Sequence, residues 1–167
     1  MVAQKSIHQY KYIIVSDKFD FFKSADKYHT SSLTKFLFNK YGFKSYLSID
    51  KFPDDFNSNR CLALFVDLKD SSGIVRTKIS IEFKDCNNSV IFTSKEGSSK
   101  SKDYKTGYHE AIRDAFKHIK VLNYKYVPND LSEKKEAVVI LEPEAVKKEV
   151  KPIPKNIKKK TEKKQES

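Results

Sequence analysis

The sequence predicts an α+β protein: a two-layer sandwich in which a mixed sheet of about five strands carries two amphipathic helices, followed by a disordered tail. Three observations predict it. Two long stretches keep apolar residues at helical spacing, and five shorter ones read as strands, in the order β-α-β-β-β-β-α. After Pro128 the aromatic residues vanish and Pro143, Pro152 and Pro154 interrupt a Lys/Glu-rich text. Such a segment buries too little apolar area to offset its ordering entropy. The expected organisation is an extension over residues 1–9, a globular domain over 10–127 and a low-complexity tail over 128–167.

Length and charge set outer bounds. At 167 residues the chain fits one ordinary domain. A formal charge of +11 favours acidic partners and solubility but does not determine a fold. From Leu131 onward 11 Lys stand against 7 Glu, so neither tail nor body is a dense polycation. No stretch reaches the roughly 20 apolar residues that a membrane span requires.

The first strand is residues 10–15, YKYIIV, a β-branched and aromatic run. A polar and aromatic loop follows over residues 16–29. Thr30, Ser31 and Ser32 then offer N-cap hydroxyls to a helix that places Leu33, Phe36, Leu37 and Tyr41 on one face and ends at Gly42. Residues 43–49 read as a second strand with Phe43, Leu47 and Ile49 facing one way, broken by FPDDFNSN. Residues 61–68, CLALFVDL, are nearly continuous apolar text, as in a strand covered on both sides or lying in mid-sheet. Beyond the turn KDSSG, residues 74–84 alternate cleanly. Thr77, Ile79, Ile81 and Phe83 oppose Arg76, Lys78, Ser80, Glu82 and Lys84, so one face is buried and the other wet. Residues 90–93 make a short fifth strand. A right-handed crossover through the first helix sets strands one and two parallel, with the rest antiparallel.

The second helix places Tyr104, Tyr108, Ala111, Ile112, Ala115, Phe116 and Ile119 on one side, with an N-cap at Ser101. Ala111 and Ala115 admit close approach to a sheet. The preceding loop carries Lys95, Lys100 and Lys102, with Lys105 in the first turn. A lysine-flanked helix after antiparallel strands, with AIRDAF inside it, resembles the end of a double-stranded RNA-binding domain. That family sets three lysines at the helix start, where this chain keeps only Lys105, and Glu96, Asp103 and Glu110 interleave. A solvated loop is therefore the expected reading. Nucleic acid is the unfavoured rival, with Lys95, Lys100, Lys102 and Lys105 as its anion contacts.

No catalytic residue, metal site or cofactor is predicted. The four histidines are scattered, and His109 and His118 lie about 180° apart on the second helix. No phosphate-loop, nucleophile-elbow or Cys-x-x-Cys pattern occurs. Asp54 with Asp55, and Asp67 with Asp70, fall in or beside turns, where Asp bonds its own backbone. Cys61 opens the third strand and Cys86 closes the fourth. A hairpin turning near residues 70–73 leaves them about three positions out of step, so they are either two small buried thiols or, given a bulge, a disulfide. A bridge requires an oxidising compartment. The loop rings Phe19, Phe21, Phe22 and Tyr28 are candidate partner contacts, although Phe19 and Phe22 also suit capping the open end of the sheet.

Four stretches, YKYIIVSDKFDFFKSADKYHTSSLTKFLFNKYGFKSYL, NRCLALFVDL, KISIEFKDCNNSVIFTSKEGSSK and YHEAIRDAFKHIKVLNYKY, together resemble a family of uncharacterised exported proteins of Bacteroidetes-type bacteria. The resemblance covers about residues 5–127. It implies a periplasmic or secreted location and a native precursor whose signal peptide ends near Ala3 and Gln4, with residues 1–2 as a replacement start. The element order is also similar to that of the amino-terminal domain of TolB and of small envelope lipoproteins, which are binding modules. The functional expectation is a non-catalytic exported module contacting a protein or a cell-wall component. An enzyme with an unrecognised site is the remaining alternative.

Overall fold

The computed structural model describes residues 6–128. Residues 1–5 and 129–167 lie outside the described residues, and the expectations of a disordered tail and a replaced start fall there. Six strands, three helices and short 3-10 turns follow one another: β1 (Tyr12–Val15), α1 (Thr30–Lys40), β2 (Lys44–Leu47), α2 (Asp54–Ser58), β3 (Ala63–Asp70), β4 (Thr77–Lys84), β5 (Val90–Thr93), β6 (Gly97–Ser99) and α3 (Tyr104–Lys120). They build the expected α+β fold around one mixed sheet of order β2-β1-β3-β4-β5, with β6 paired to β4.

β1 runs parallel to both neighbours, with Ile13 opposite Ser45 and Leu64. The expectation that only strands one and two are parallel is thus corrected: β3 is parallel as well. The reason lies in FPDDFNSN, which does more than break a strand. It forms the one-turn helix α2, whose Phe56 is fully buried, and it gives the chain a second crossover back to the starting end of the sheet. Alternate residues of β1 enter two cores. Ile13 and Val15 face α1 and α3, while Tyr12 and Ile14 face Phe56 on the opposite side. The Tyr12 hydroxyl donates to the Asp55 carboxylate at 2.9 Å, fastening α2 to the strand it covers.

In β4 the predicted alternation holds, with Ile79, Ile81 and Phe83 buried. α1 departs from prediction. Phe38 is buried and Phe36 is exposed, because the inward stripe runs through Thr30, Ser31 and Thr34 rather than through apolar residues alone. Their hydroxyls are satisfied internally: Thr34 donates to the Thr30 carbonyl at 2.7 Å and Ser31 to the Asp17 carbonyl at 3.0 Å. The predicted hydroxyl caps are also displaced. Asp26 takes that role, its carboxylate accepting the Ser32 amide hydrogen at 2.9 Å. Gly42 ends the helix at φ +92, as expected. Ile49, expected to face inward from the second strand, is exposed.

β6 has no counterpart in the sequence pattern. Gly97 and Ser98 pair with Ile79 and Lys78, in line with β5 along the same edge of β4. α3 lies over it, with Ala111, Ile112, Ala115, Phe116 and Ile119 buried as predicted. The helix is capped by Asp103, whose carboxylate accepts from the Thr106 amide at 2.8 Å, and not by Ser101. After α3 the chain returns to its start. The Val127 amide donates to the His8 carbonyl at 2.8 Å, and the Tyr124 ring stacks on Phe43 with centroids 4.0 Å apart. Ile7, placed by sequence in the extension, is buried in the main core.

Candidate functional site

Cys61 and Cys86 form a disulfide with Cα atoms 5.0 Å apart. The β3–β4 register, Phe65 opposite Lys84, extends to set Cys86 opposite Ala63. The remaining offset is absorbed by a 3-10 turn over Arg60–Leu62 that curls the chain back. The reading of two buried thiols is thereby excluded, and the bridge closes one end of the central hairpin.

At the hairpin's other end a groove of about 680 Å³ opens between the β3–β4 turn and the first turn of α3. Lys100 and Lys102 line it with Arg76, Tyr104 and Tyr108. Lys95 and Lys105 are exposed and do not line it. Tyr104, predicted to pack on the sheet, is 69% exposed, because the helix's first turn projects beyond the strands that its later turns cover. Its ring aligns instead with Tyr28 at a centroid distance of 6.3 Å, and Tyr28 aligns with Tyr108 at 5.9 Å. Phe21 stacks on the other side of this ladder, also 5.9 Å from Tyr108. Phe19 and Phe22 are buried in the core, which removes them from the predicted contact set. They seal the end of the sheet, leaving half-buried Phe21 and Tyr28 as the loop's accessible rings.

The loop that carries Tyr28 into the ladder has a strained backbone. Asp26, Tyr28 and His29 all adopt left-handed conformations, with φ of 45, 57 and 60, a region that costs non-glycine residues about 1–2 kcal/mol each. Two tethers hold the turn. The Tyr28 carbonyl is 2.7 Å from His109 Nε2 of α3, and the Asp26 carboxylate accepts from both the hydroxyl and the amide of Ser32. The Tyr108 hydroxyl donates to Asp70 at 2.9 Å; burial and that carboxylate push its pKa up, so it stays a neutral donor. Asp70 and Asp103 beside the groove are thus both engaged, one by Tyr108 and the other by the α3 cap.

Partial burial works against the charge of Asp26, but the Ser32 bonds and His29 outweigh it and hold the carboxyl below its usual range. The Lys35 ammonium and the Leu47 amide do the same for Asp50. Depressed folded-state values stabilise above the ordinary carboxylate pKa of about 4, and that contribution is lost as pH falls through the lower folded values. The thermal midpoint is therefore expected to drop below about pH 4, and Asp26→Asn to remove part of that acid-sensitive increment. An unchanged acid limb in Asp26→Asn contradicts this assignment.

Two smaller hollows, of about 420 and 250 Å³, lie beside the C-terminal ends of α1 and α3, where Lys40 and Lys120 lie over the Tyr41 ring. Cations at helix C-termini complement exposed carbonyls, so packing accounts for them. Among the described residues no group of three His, Cys, Asp or Glu side chains could hold a metal ion, and no helix is long and apolar enough to cross a membrane.

Fold and site together define an α+β protein with a disulfide at one end of its central hairpin and a cationic, tyrosine-lined groove at the other. No protein-family model matches the chain, and no curated protein matches it. Among solved structures it is similar to a single-substitution variant of the PelC dodecamer from Paraburkholderia phytofirmans. That likeness has 12% identity and a TM-score of 0.46, covering 74% of this chain and 96% of the other. A second PelC dodecamer structure from the same organism gives 11% identity and a TM-score of 0.43, covering 69% and 92%. Neither likeness reaches the level at which a shared partner or assembly follows.

Proposed function

We propose that the chain is a non-catalytic, exported binding module of the cell envelope that contacts a protein or a cell-wall component through the tyrosine ladder of this groove. The observation that carries the reading is Tyr104, an exposed ring aligned on Tyr28 whose own backbone is strained. Strain of that kind persists where the surroundings over-determine a conformation, and such positions cluster at binding and switching sites. Aromatic rings with a solvated face and a fixed orientation are efficient contact anchors. The Cys61–Cys86 bridge supports an oxidising compartment, in keeping with the resemblance to exported proteins.

Duplex nucleic acid is the second reading, favoured by the shared lining of Arg76, Lys100 and Lys102. A comparison of the full chain with Tyr104→Ala separates the two, using purified peptidoglycan, cross-linking to envelope proteins, and duplex RNA at two salt concentrations. Salt-tolerant retention on peptidoglycan or a discrete cross-linked partner, weakened about tenfold in Tyr104→Ala, is the expected result. Steeply salt-dependent binding to RNA without either of the others overturns the proposal.

A further inference from the structure

The β3–β4 turn breaks a local rule. The Ser71 amide donates to the Lys78 carbonyl at 3.0 Å and the Gly73 amide to the Arg76 carbonyl at 2.9 Å, so Ile74 and Val75 are the two residues at the hairpin tip. Neither residue has positive φ, so the turn does not demand glycine there, but exposed turn positions are ordinarily polar and these two are apolar. Here the two aliphatics gain no burial in return: Ile74 is 104% exposed and Val75 is 79% exposed. A sequence that departs from its local preference without a packing gain points to a task outside the fold.

The surroundings indicate what that task is. Arg76 follows the tip in sequence, and Lys100 and Lys102 stand across the groove. None of the three has an ion-pair partner among the described residues. The nearby acids are engaged elsewhere: Glu96 accepts from Ser71 and pairs with Lys78 at 3.7 Å, and Asp70 accepts from Tyr108. The result is an apolar tip beside uncompensated cations. A bilayer surface offers that pattern in complement, with acyl chains for the aliphatics and anionic phosphates one layer above for the cations.

We infer that the Ile74–Val75 tip inserts into the surface of an anionic phospholipid membrane while Arg76, Lys100 and Lys102 bind its headgroups. The contact is additional to the tyrosine-ladder reading and stands without it. A protein partner is less suited, because binding hot spots sit in desolvated pockets, whereas these side chains project from a turn.

The chain contains no tryptophan, so Ile74→Trp places a single tryptophan, excited selectively over the nine tyrosines, at the tip of the full-length protein. The position is exposed, and an unchanged thermal midpoint verifies that the variant is folded. With vesicles of phosphatidylcholine and phosphatidylglycerol, its emission is expected to shift to the blue and to be quenched by brominated acyl chains. Vesicles of phosphatidylcholine alone are expected to leave it unchanged. Adding Lys100→Glu and Lys102→Glu should raise the lipid needed for the shift by at least about tenfold. The lysine-rich tail could bring the chain to anionic vesicles by itself, so sedimentation is not the readout. Emission that stays at its water-exposed wavelength, whether or not the protein sediments with the vesicles, overturns the inference. A blue shift that grows with protein concentration in the absence of lipid also overturns it, assigning the tip to a second copy of the chain. The ladder reading is scored separately, by peptidoglycan and cross-linking with Tyr104→Ala.

Discussion

Gly97→Ala is expected to prevent stable folding, at a cost of about 4 kcal/mol or more. A methyl group at this position would stand 2.1 Å from the Ala111 carbonyl oxygen, 2.1 Å from the Ala115 amide nitrogen and 2.9 Å from the Ala115 Cα. All three are backbone atoms of α3, so no rotamer change relieves the overlap. Either β6 leaves β4, or the helix lifts off a sheet on which Ile112, Phe116 and Ile119 are buried. Urea unfolding followed by far-ultraviolet circular dichroism checks this, with Gly73→Ala as control. At Gly73 nothing lies within 4 Å of the added carbon, and the change in stability is expected to stay within about 0.5 kcal/mol. A Gly97→Ala protein that unfolds at the parent urea concentration would show that α3 does not lie against β6 as closely as described.

The second large effect is reductive. Replacing Cys61 and Cys86 together with alanine is expected to cost about 3.5 kcal/mol, the loop-closure value for a cross-link spanning 25 residues. In place of the bridge, the end of the β3–β4 hairpin would rely on the short turn at Arg60–Leu62 and on the Asn59 side chain, which accepts from the Cys61 amide at 3.0 Å. Chemical denaturation with and without reductant should reproduce the difference in the parent protein and show none in the double variant. A reductant effect of equal size in both would mean that the bridge contributes nothing and that the stabilisation lies elsewhere.

What the sequence reveals of this fold follows from where burial is apolar and periodic. β4 and the later turns of α3 are readable because water meets one side of them and core the other. α1 misleads because its inward stripe includes Thr30, Ser31 and Thr34, whose hydroxyls find partners only once the neighbouring loop has folded. A hydrophobic pattern has no means of registering that, and it placed Phe36 inside in place of Phe38. β6 was invisible for a related reason. Gly-Ser-Ser has no strand propensity of its own, and it is a strand because Ile79 and Lys78 offer pairing groups beneath a helix that tolerates only glycine there.

The site was legible in its parts and not in its arrangement. The loop aromatics and the lysines were visible as residue types. Only the structure separates Phe19 and Phe22, which seal the sheet, from Tyr28, which joins Tyr104 and Tyr108 from a helix about eighty residues away. The strained backbone at Asp26, Tyr28 and His29 leaves only a weak sequence signal: Asp and His enter the left-handed region more often than most residues, but Tyr does not, and none of the three is glycine. The hairpin tip is masked in the sequence because Ile-Val after KDSSG has the apolar, β-branched character of a strand's start, so it reads as part of β4.

The bond between the Val127 amide and the His8 carbonyl, with the Tyr124 ring stacked beside His8, brings the entry and exit of the folded body together. His8 and Val127 are thus neighbours, so the described residues begin and finish at one clasp instead of at opposite ends of the sheet. A pull applied across His8 and Val127 is expected to part this clasp before it loads the strands.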